Sequence, residues 1–296
     1  MTDQTGGGLA AAAGALVRAP DHKVIFDTVR PWLDREGFSP ARVAALDAAI
    51  RRSVGLEAAT PPPAAIAAPV AAPGAVGFYV DLLEHVAGRK ADDSIRAVAA
   101  ALAAHAPAYG QDKTPERMAE FVAQIAHETG GFTRFEENLR YSARRLMQVW
   151  PRRFPTLASA FPYAWDSSDP DREDQALANK TYGGRMGNED DGTADNDGWD
   201  YRGRGALQLT GLDQYKAAGE ALGLPLVDQP DLAADPAIGT LIALHFFKQN
   251  GVNAYIDRGD FKAARGITNA GDPNFANPHG LAEVAQRRRK ALEVLR

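Results

Sequence analysis

The sequence predicts a mainly α-helical protein with one long irregular loop, preceded by a small helical hairpin. Apolar residues recur at helical spacing through most of the chain after residue 77, while strand-like alternation is weak. Gly, Asp, Asn and Pro crowd one segment, residues 166–205. With 296 residues, 45% hydrophobic and 24% charged, the chain can bury a core, which excludes disordered and fibrous classes. A formal net charge of −5 argues against sequence-blind capture of polyanions, so no nucleic-acid partner is expected. The absence of Cys excludes disulfides, thiol nucleophiles and cysteine-based zinc sites.

Taken in order, residues 1–20 read as a flexible leader, because the apolar run 9–17 is short and follows Asp3 rather than a positive cluster. Residues 21–56 read as two short helices, the second opened by Ser39-Pro40 and stopped by Gly55. So small a unit lies near the roughly 40-residue limit for folding alone, and is expected to dock on wall or partner, or to serve as a tether. Residues 57–76 form an Ala/Pro linker: Pro61, Pro62, Pro63, Pro69 and Pro73 favour extended backbone.

From 77 to 296 the pattern is one helical domain. Helices are predicted at 78–86, 94–105, from Thr114-Pro115-Glu116 onward, and at 215–222, 236–249, 261–267 and 281–295. No run approaches the roughly 20 apolar residues that cross a bilayer, so no stable membrane insertion is expected.

The helix opened by Thr114 carries Met118, Phe121, Val122, Ile125 and Ala126 as a core-facing stripe, with Glu128 at its edge, two turns beyond Phe121. Apolar surroundings there would favour the protonated carboxyl that a proton donor needs. Gly130 and Gly131 end the helix, and Glu136 and Glu137 follow. A continuous helix would separate Glu128 and Glu137 by about 13.5 Å and turn them apart. A reversal at the glycines could instead bring them to roughly 6.5–9.5 Å, where one carboxyl protonates a glycosidic oxygen and the other activates water. Taken alone, the pair reads first as a solvated face beside an incidental turn.

The segments AHETGGF, ENLRYS, YGGRMGN, DGWDYRGRGALQLTG and ITNAG follow in that order over 94–296, with GRGALQLTG the most specific. In these motifs the chain resembles glycoside hydrolase family 19, the chitinase-like enzymes, and among them the phage and prophage endolysins. The resemblance implies a lysozyme-like helical catalytic domain over 77–296, with a cleft and inverting hydrolysis of β-1,4-linked N-acetylated sugars. It implies Glu128 as general acid, Glu137 as general base and Thr210 as holder of the attacking water. Gln208 and Asn269 would bind sugar, and Tyr141 and Arg204 would support the cleft. Where the family commonly has Asn before the Tyr after QLT, this chain has Gln214 before Tyr215, an amide that could substitute. Ala270-Gly271 replaces a glycine pair.

Other features point elsewhere more weakly. His127-Glu128 begins like an HExxH zinc helix, but Gly131 stands where the second His belongs. The acidic stretch 189–200 offers Asp190, Asp191, Asp195, Asn196 and Asp197 to a cation but lacks an EF-hand register, and is expected as a mobile rim, with Trp199 and Tyr201 as sugar platforms. Arg287, Arg288, Arg289 and Lys290 read as a solvated face, with attraction to anionic envelope polymer a secondary reading. Ser142 and Ser159 lack triad partners.

Together these readings give a metal-free, cofactor-free, monomeric endolysin acting on peptidoglycan glycan strands. It would be made in the cytoplasm and released to the periplasm and wall through a holin-like pore. A chitinase is the alternative enzyme, and a carbohydrate-binding protein without turnover the alternative of another class.

Overall fold

Thr114 sets the start of the helix that organises the domain. Its hydroxyl accepts from the N–H of Arg117, Pro115 fills the first turn, and Glu116 places a carboxylate at the positive end of the helix dipole. The computed structural model describes residues 74–165, 174–189 and 196–296. The predicted leader and helical hairpin, all but the end of the linker, and Asp190, Asp191 and Asp195 lie outside them.

In chain order the helices are α1 (Ala75–Ala87), α2 (Asp93–Tyr109), α3 (Pro115–Glu128), α4 (Ala143–Val149), α5 (Leu157–Ala160), α6 (Gln175–Tyr182), α7 (Asp197–Asp200), α8 (Leu212–Leu222), α9 (Pro236–Gln249), α10 (Val252–Asp257), α11 (Phe261–Ala270) and α12 (Leu281–Leu295). Single 3-10 turns stand at Phe161–Tyr163 and Pro230–Ala234. Among the described residues, pairing of extended backbone is limited to the isolated bridges Glu136–Arg204 and Arg204–Leu209.

The predicted stripe of α3 is buried throughout, and Phe121 meets Phe247 of α9 edge-on, with ring centroids 4.9 Å apart. α12 lies along α3, and α9 along α2. Side chains of Asp92, Asp235 and Asp260 cap α2, α9 and α11 by accepting backbone N–H groups. Ser142 and Ser159, without triad partners in sequence, serve as helix-capping hydroxyls at α4 and α5.

Short helices α4, α5, α6, α7 and α10 escaped the periodicity because four to eight residues complete too few turns to display it. Two of them, α6 and α7, stand inside the segment 166–205. Among the described residues no helix is long and apolar enough to cross a membrane.

Candidate active site

Glu128 is the last residue of α3, and the chain turns back immediately beyond it. Thr129 makes the turn: its hydroxyl donates to the Ile125 carbonyl (2.6 Å) and accepts from the Phe132 N–H (2.8 Å). Gly130 and Gly131 adopt φ of 61° and 81°, a region closed to most L-residues, which lets the Gly131 N–H reach the Ala126 carbonyl at 2.7 Å. The reversed chain then runs beside the segment from Gly203 to Leu209. The Gly205 N–H donates to the Phe135 carbonyl (2.7 Å), and the Glu137 N–H to the Gly203 carbonyl (2.9 Å).

This pairing seats the Glu137 carboxylate. Its Oε1 accepts from the Gly203 N–H at 2.6 Å and its Oε2 from the Tyr182 hydroxyl at 2.7 Å, so each oxygen is held by one donor and has acceptor capacity left. Gly203 is the meeting point of the site. A Cβ there would fall 2.6 Å from Gln208 Oε1, 3.3 Å from Thr210 Oγ1 and 3.4 Å from Glu137 Cδ. Three residues that the resemblance nominated therefore converge on a position where an added Cβ would force the Gln208 side chain to move. Gln208 reaches it with a left-handed backbone (φ 56°), an uncommon conformation for a residue with a Cβ. Because the Thr210 hydroxyl donates to the Gln208 carbonyl (2.9 Å), its lone pairs are free to receive a hydrogen from water.

Burial also bears on Glu137, the expected base. Burial pushes Glu137 above the ordinary glutamate range, although Tyr182, the Gly203 amide and the guanidinium groups of Arg202 and Arg204 pull it back. The same burial, with the neighbouring Glu137 charge, pushes the Tyr182 and Tyr141 hydroxyls up. Tyr182 therefore stays a hydrogen-bond donor at all working pH. The Glu128 carboxyl meets the buried Arg265 of α11, Nη1 to Oε1 at 2.6 Å. The apolar stripe does lie on α3, and the Glu128 carboxyl beside it has a charged partner that the sequence did not announce.

The remaining expected site residues divide. Asn269 accepts the His279 N–H on its Oδ1 at 2.6 Å, one helical turn from Arg265, whose Nε donates to the His279 carbonyl at 2.8 Å. Tyr141 stands half-buried with its ring edge-on to Trp150. Gln214 is exposed and lines a cavity of about 310 Å³ with Asp213, Phe246 and Asn250. That cavity takes Arg204, Gly205 and Leu209 from the site segment, but not Gly203, Gln208 or Thr210.

Trp199 is half-buried, with the Arg202 guanidinium over its ring at 3.6 Å, so one face is covered. Tyr201 cannot be a sugar platform. It is buried edge-on against Tyr215 and donates its hydroxyl to the Val227 carbonyl. Arg204 is buried, bonded to the Asp200 carbonyl, the Tyr215 hydroxyl and Asp231, and braces the bridge that carries Glu136 and Glu137. His127 lies against Gly280, and burial followed by the Arg265 charge lowers its imidazole below its usual value, favouring the neutral ring.

Arg288 also departs from expectation. Rather than facing solvent it pairs with the fully buried Glu120 at 3.0 Å and stacks over Phe261 at 3.4 Å. Sequence reasoning missed Tyr182, Arg265, Glu120 and Gln124. For Tyr182 the only available signal was its place at the head of YGGRMGN. Glu120 and Gln124 could have been found as polar residues four apart beside an apolar stripe.

A family model for glycosyl hydrolase family 19, described as chitinase class I, matches residues 156–255, a stretch that holds Tyr182, Gly203, Gln208 and Thr210 but neither Glu128 nor Glu137. A glycosyl hydrolase family 19 domain-containing protein of Haemophilus influenzae is 38% identical over 132 residues, covering 45% of this chain and 61% of that one. An endochitinase of Arabidopsis thaliana is 40% identical over 82 residues, 27% of this chain and 28% of its own. The chain thus spans less than two thirds of these relatives. Chitinase C of Streptomyces griseus superposes with a TM-score of 0.46 at 24% identity, over 74% of this chain and 93% of the other.

Proposed function

We propose that the chain is an inverting glycoside hydrolase of the family 19 type, cutting β-1,4 bonds of N-acetylated glycans, with bacterial peptidoglycan strands as the substrate in an endolysin role. One observation carries this reading: the Glu137 carboxylate is held by Tyr182 and the Gly203 amide at a point shared with Gln208 and Thr210. Glu137 takes a proton from water whose other hydrogen bond goes to Thr210 Oγ1. Its raised proton affinity, set by burial, brings the base nearer to neutral pH, where it accepts a proton more readily once ionised. Glu128 starts in its protonated form and gives that proton to the departing sugar oxygen as the water oxygen bonds to the anomeric carbon and the glycosidic C–O bond breaks; the carboxylate left behind is the form that pairs with Arg265. Gln208 binds the acetamido and hydroxyl groups beside the reacting ring.

Chitin is a second reading, favoured by the name of the Arabidopsis thaliana relative, an endochitinase. The test is to incubate the protein with purified peptidoglycan and with chitin, and to identify new reducing ends by mass. Release from peptidoglycan that disappears in Glu128→Gln supports the proposal, and release from chitin alone replaces it with the second reading. Binding to either polymer with no cleavage would establish a carbohydrate-binding protein instead.

A further inference from the structure

Helix α3 carries a polar row that its core-facing role does not require. Glu120, Gln124 and Glu128 recur every fourth residue and so stack on one side of the helix, and the first two are fully buried. They are joined end to end. Arg288 Nη1 donates to Glu120 Oε2 at 3.0 Å, and Gln124 Nε2 donates to Glu120 Oε1 at 3.0 Å. Arg265 Nη1 approaches Gln124 Oε1 at 3.4 Å and Glu128 Oε1 at 2.6 Å. Helices α12 and α11 thus reach the end of α3 through side chains inside the domain.

We infer that Glu120 is a positioning residue for Glu128, acting through Gln124 and Arg265. This rests on the reading of Glu128 as the proton donor. An amide presents an acceptor at one end and donors at the other, so its orientation depends on what surrounds it. With its NH₂ committed to Glu120, Gln124 turns its carbonyl oxygen to Arg265. Without that acceptor the amide can rotate and set its NH₂ against the guanidinium, which would push Arg265 away from its place beside Glu128.

The Nε bond to the His279 carbonyl holds the guanidinium from a third side. Arg288, stacked on Phe261, supplies the charge that permits a carboxylate at a buried position, and Lys262 borders the same small cavity. Burial pushes Glu120 up, while Arg288, Gln124 and Arg265 pull it down.

The experiment measures kcat and KM for the wild type, Glu120→Gln, Gln124→Leu and the double variant on a soluble glycan fragment, with thermal midpoints alongside. Glu120→Gln must offer its own oxygen to Arg288 and its NH₂ to Gln124, which reverses the Gln124 amide. Its kcat is expected to fall about tenfold or more with KM within about twofold. The double variant is expected to be no slower than Gln124→Leu alone, since both act on one path.

A folded Glu120→Gln with wild-type kcat overturns the inference, as do losses that multiply independently. Should Glu120→Gln fail to fold, Gln124→Leu decides: it leaves the Glu120–Arg288 pair in place, and a kcat-specific loss supports the inference while wild-type kcat overturns it. A wild type without turnover overturns the hydrolase reading itself, and with it this inference.

Discussion

At the scale of single residues, the site depends on Glu137 being buried yet singly bonded at each oxygen. Tyr182 lowers the proton affinity that burial raises. Tyr182→Phe therefore leaves Glu137 protonated to higher pH, and the proposed base must be ionised to act. The acid limb of the pH–rate profile is expected to move upward by about half to one pH unit, with kcat down about tenfold, as read from initial rates across pH. Gly203→Ala tests the meeting point. Its backbone lies outside the left-handed region, so alanine is conformationally acceptable, but the added Cβ collides with Gln208 Oε1. Activity should fall about a hundredfold while the chain stays folded by circular dichroism, because displacement of the Gln208 side chain by about an ångström is costly to turnover.

At the scale of elements, the turn after α3 determines whether Glu128 and Glu137 belong to one site. Thr129 is buried and is the only acceptor described for the Phe132 N–H. Thr129→Val keeps the shape and removes that acceptor, leaving a buried donor unmatched. A loss of about 1–3 kcal/mol is expected in urea unfolding, together with reduced turnover as the reversal loosens.

This turn was legible in sequence as two glycines after a strong helix. What it joined was only partly legible. Thr114, Pro115 and Glu116 announced the start of α3, and the apolar stripe announced its buried face, because both signals are local and periodic. The Glu128–Arg265 ion pair joins residues 137 apart in the chain, and no periodicity reports it. The short helices α6 and α7 were hidden for the same reason: their stability comes from packing, such as Asn179 Oδ1 accepting the Trp199 N–H, rather than from their own few residues.

At the scale of the whole molecule, the site costs stability that pH can reveal. Glu137 has a raised proton affinity when folded, so its favourable contribution is complete below the ordinary glutamate range and is lost as pH rises through the folded value. Glu137→Gln removes that titration while keeping an acceptor for the Gly203 amide. The variant is expected to be inactive, yet more thermally stable than the wild type at pH 8, with the gain shrinking toward pH 4. Exposed acids held low by partners, such as Asp92 by Arg89 and Glu116 by Arg296, act in the opposite direction, losing their contribution as pH falls. The comparison between variant and wild type cancels them.

By itself the sequence determined the helical class of residues 77–296, the ends of α9 and α12, the buried face of α3 and the residues that could carry acid–base chemistry, since caps, turns and apolar periods act over a few residues. Tertiary structure decided that Glu137 is desolvated, that Tyr182 and the Gly203 amide hold it, that Tyr201 is buried, and that Arg288 points inward to Glu120. Those outcomes depend on which distant side chains share a small volume, and a charge is stabilised or penalised by everything in that volume regardless of its distance along the chain.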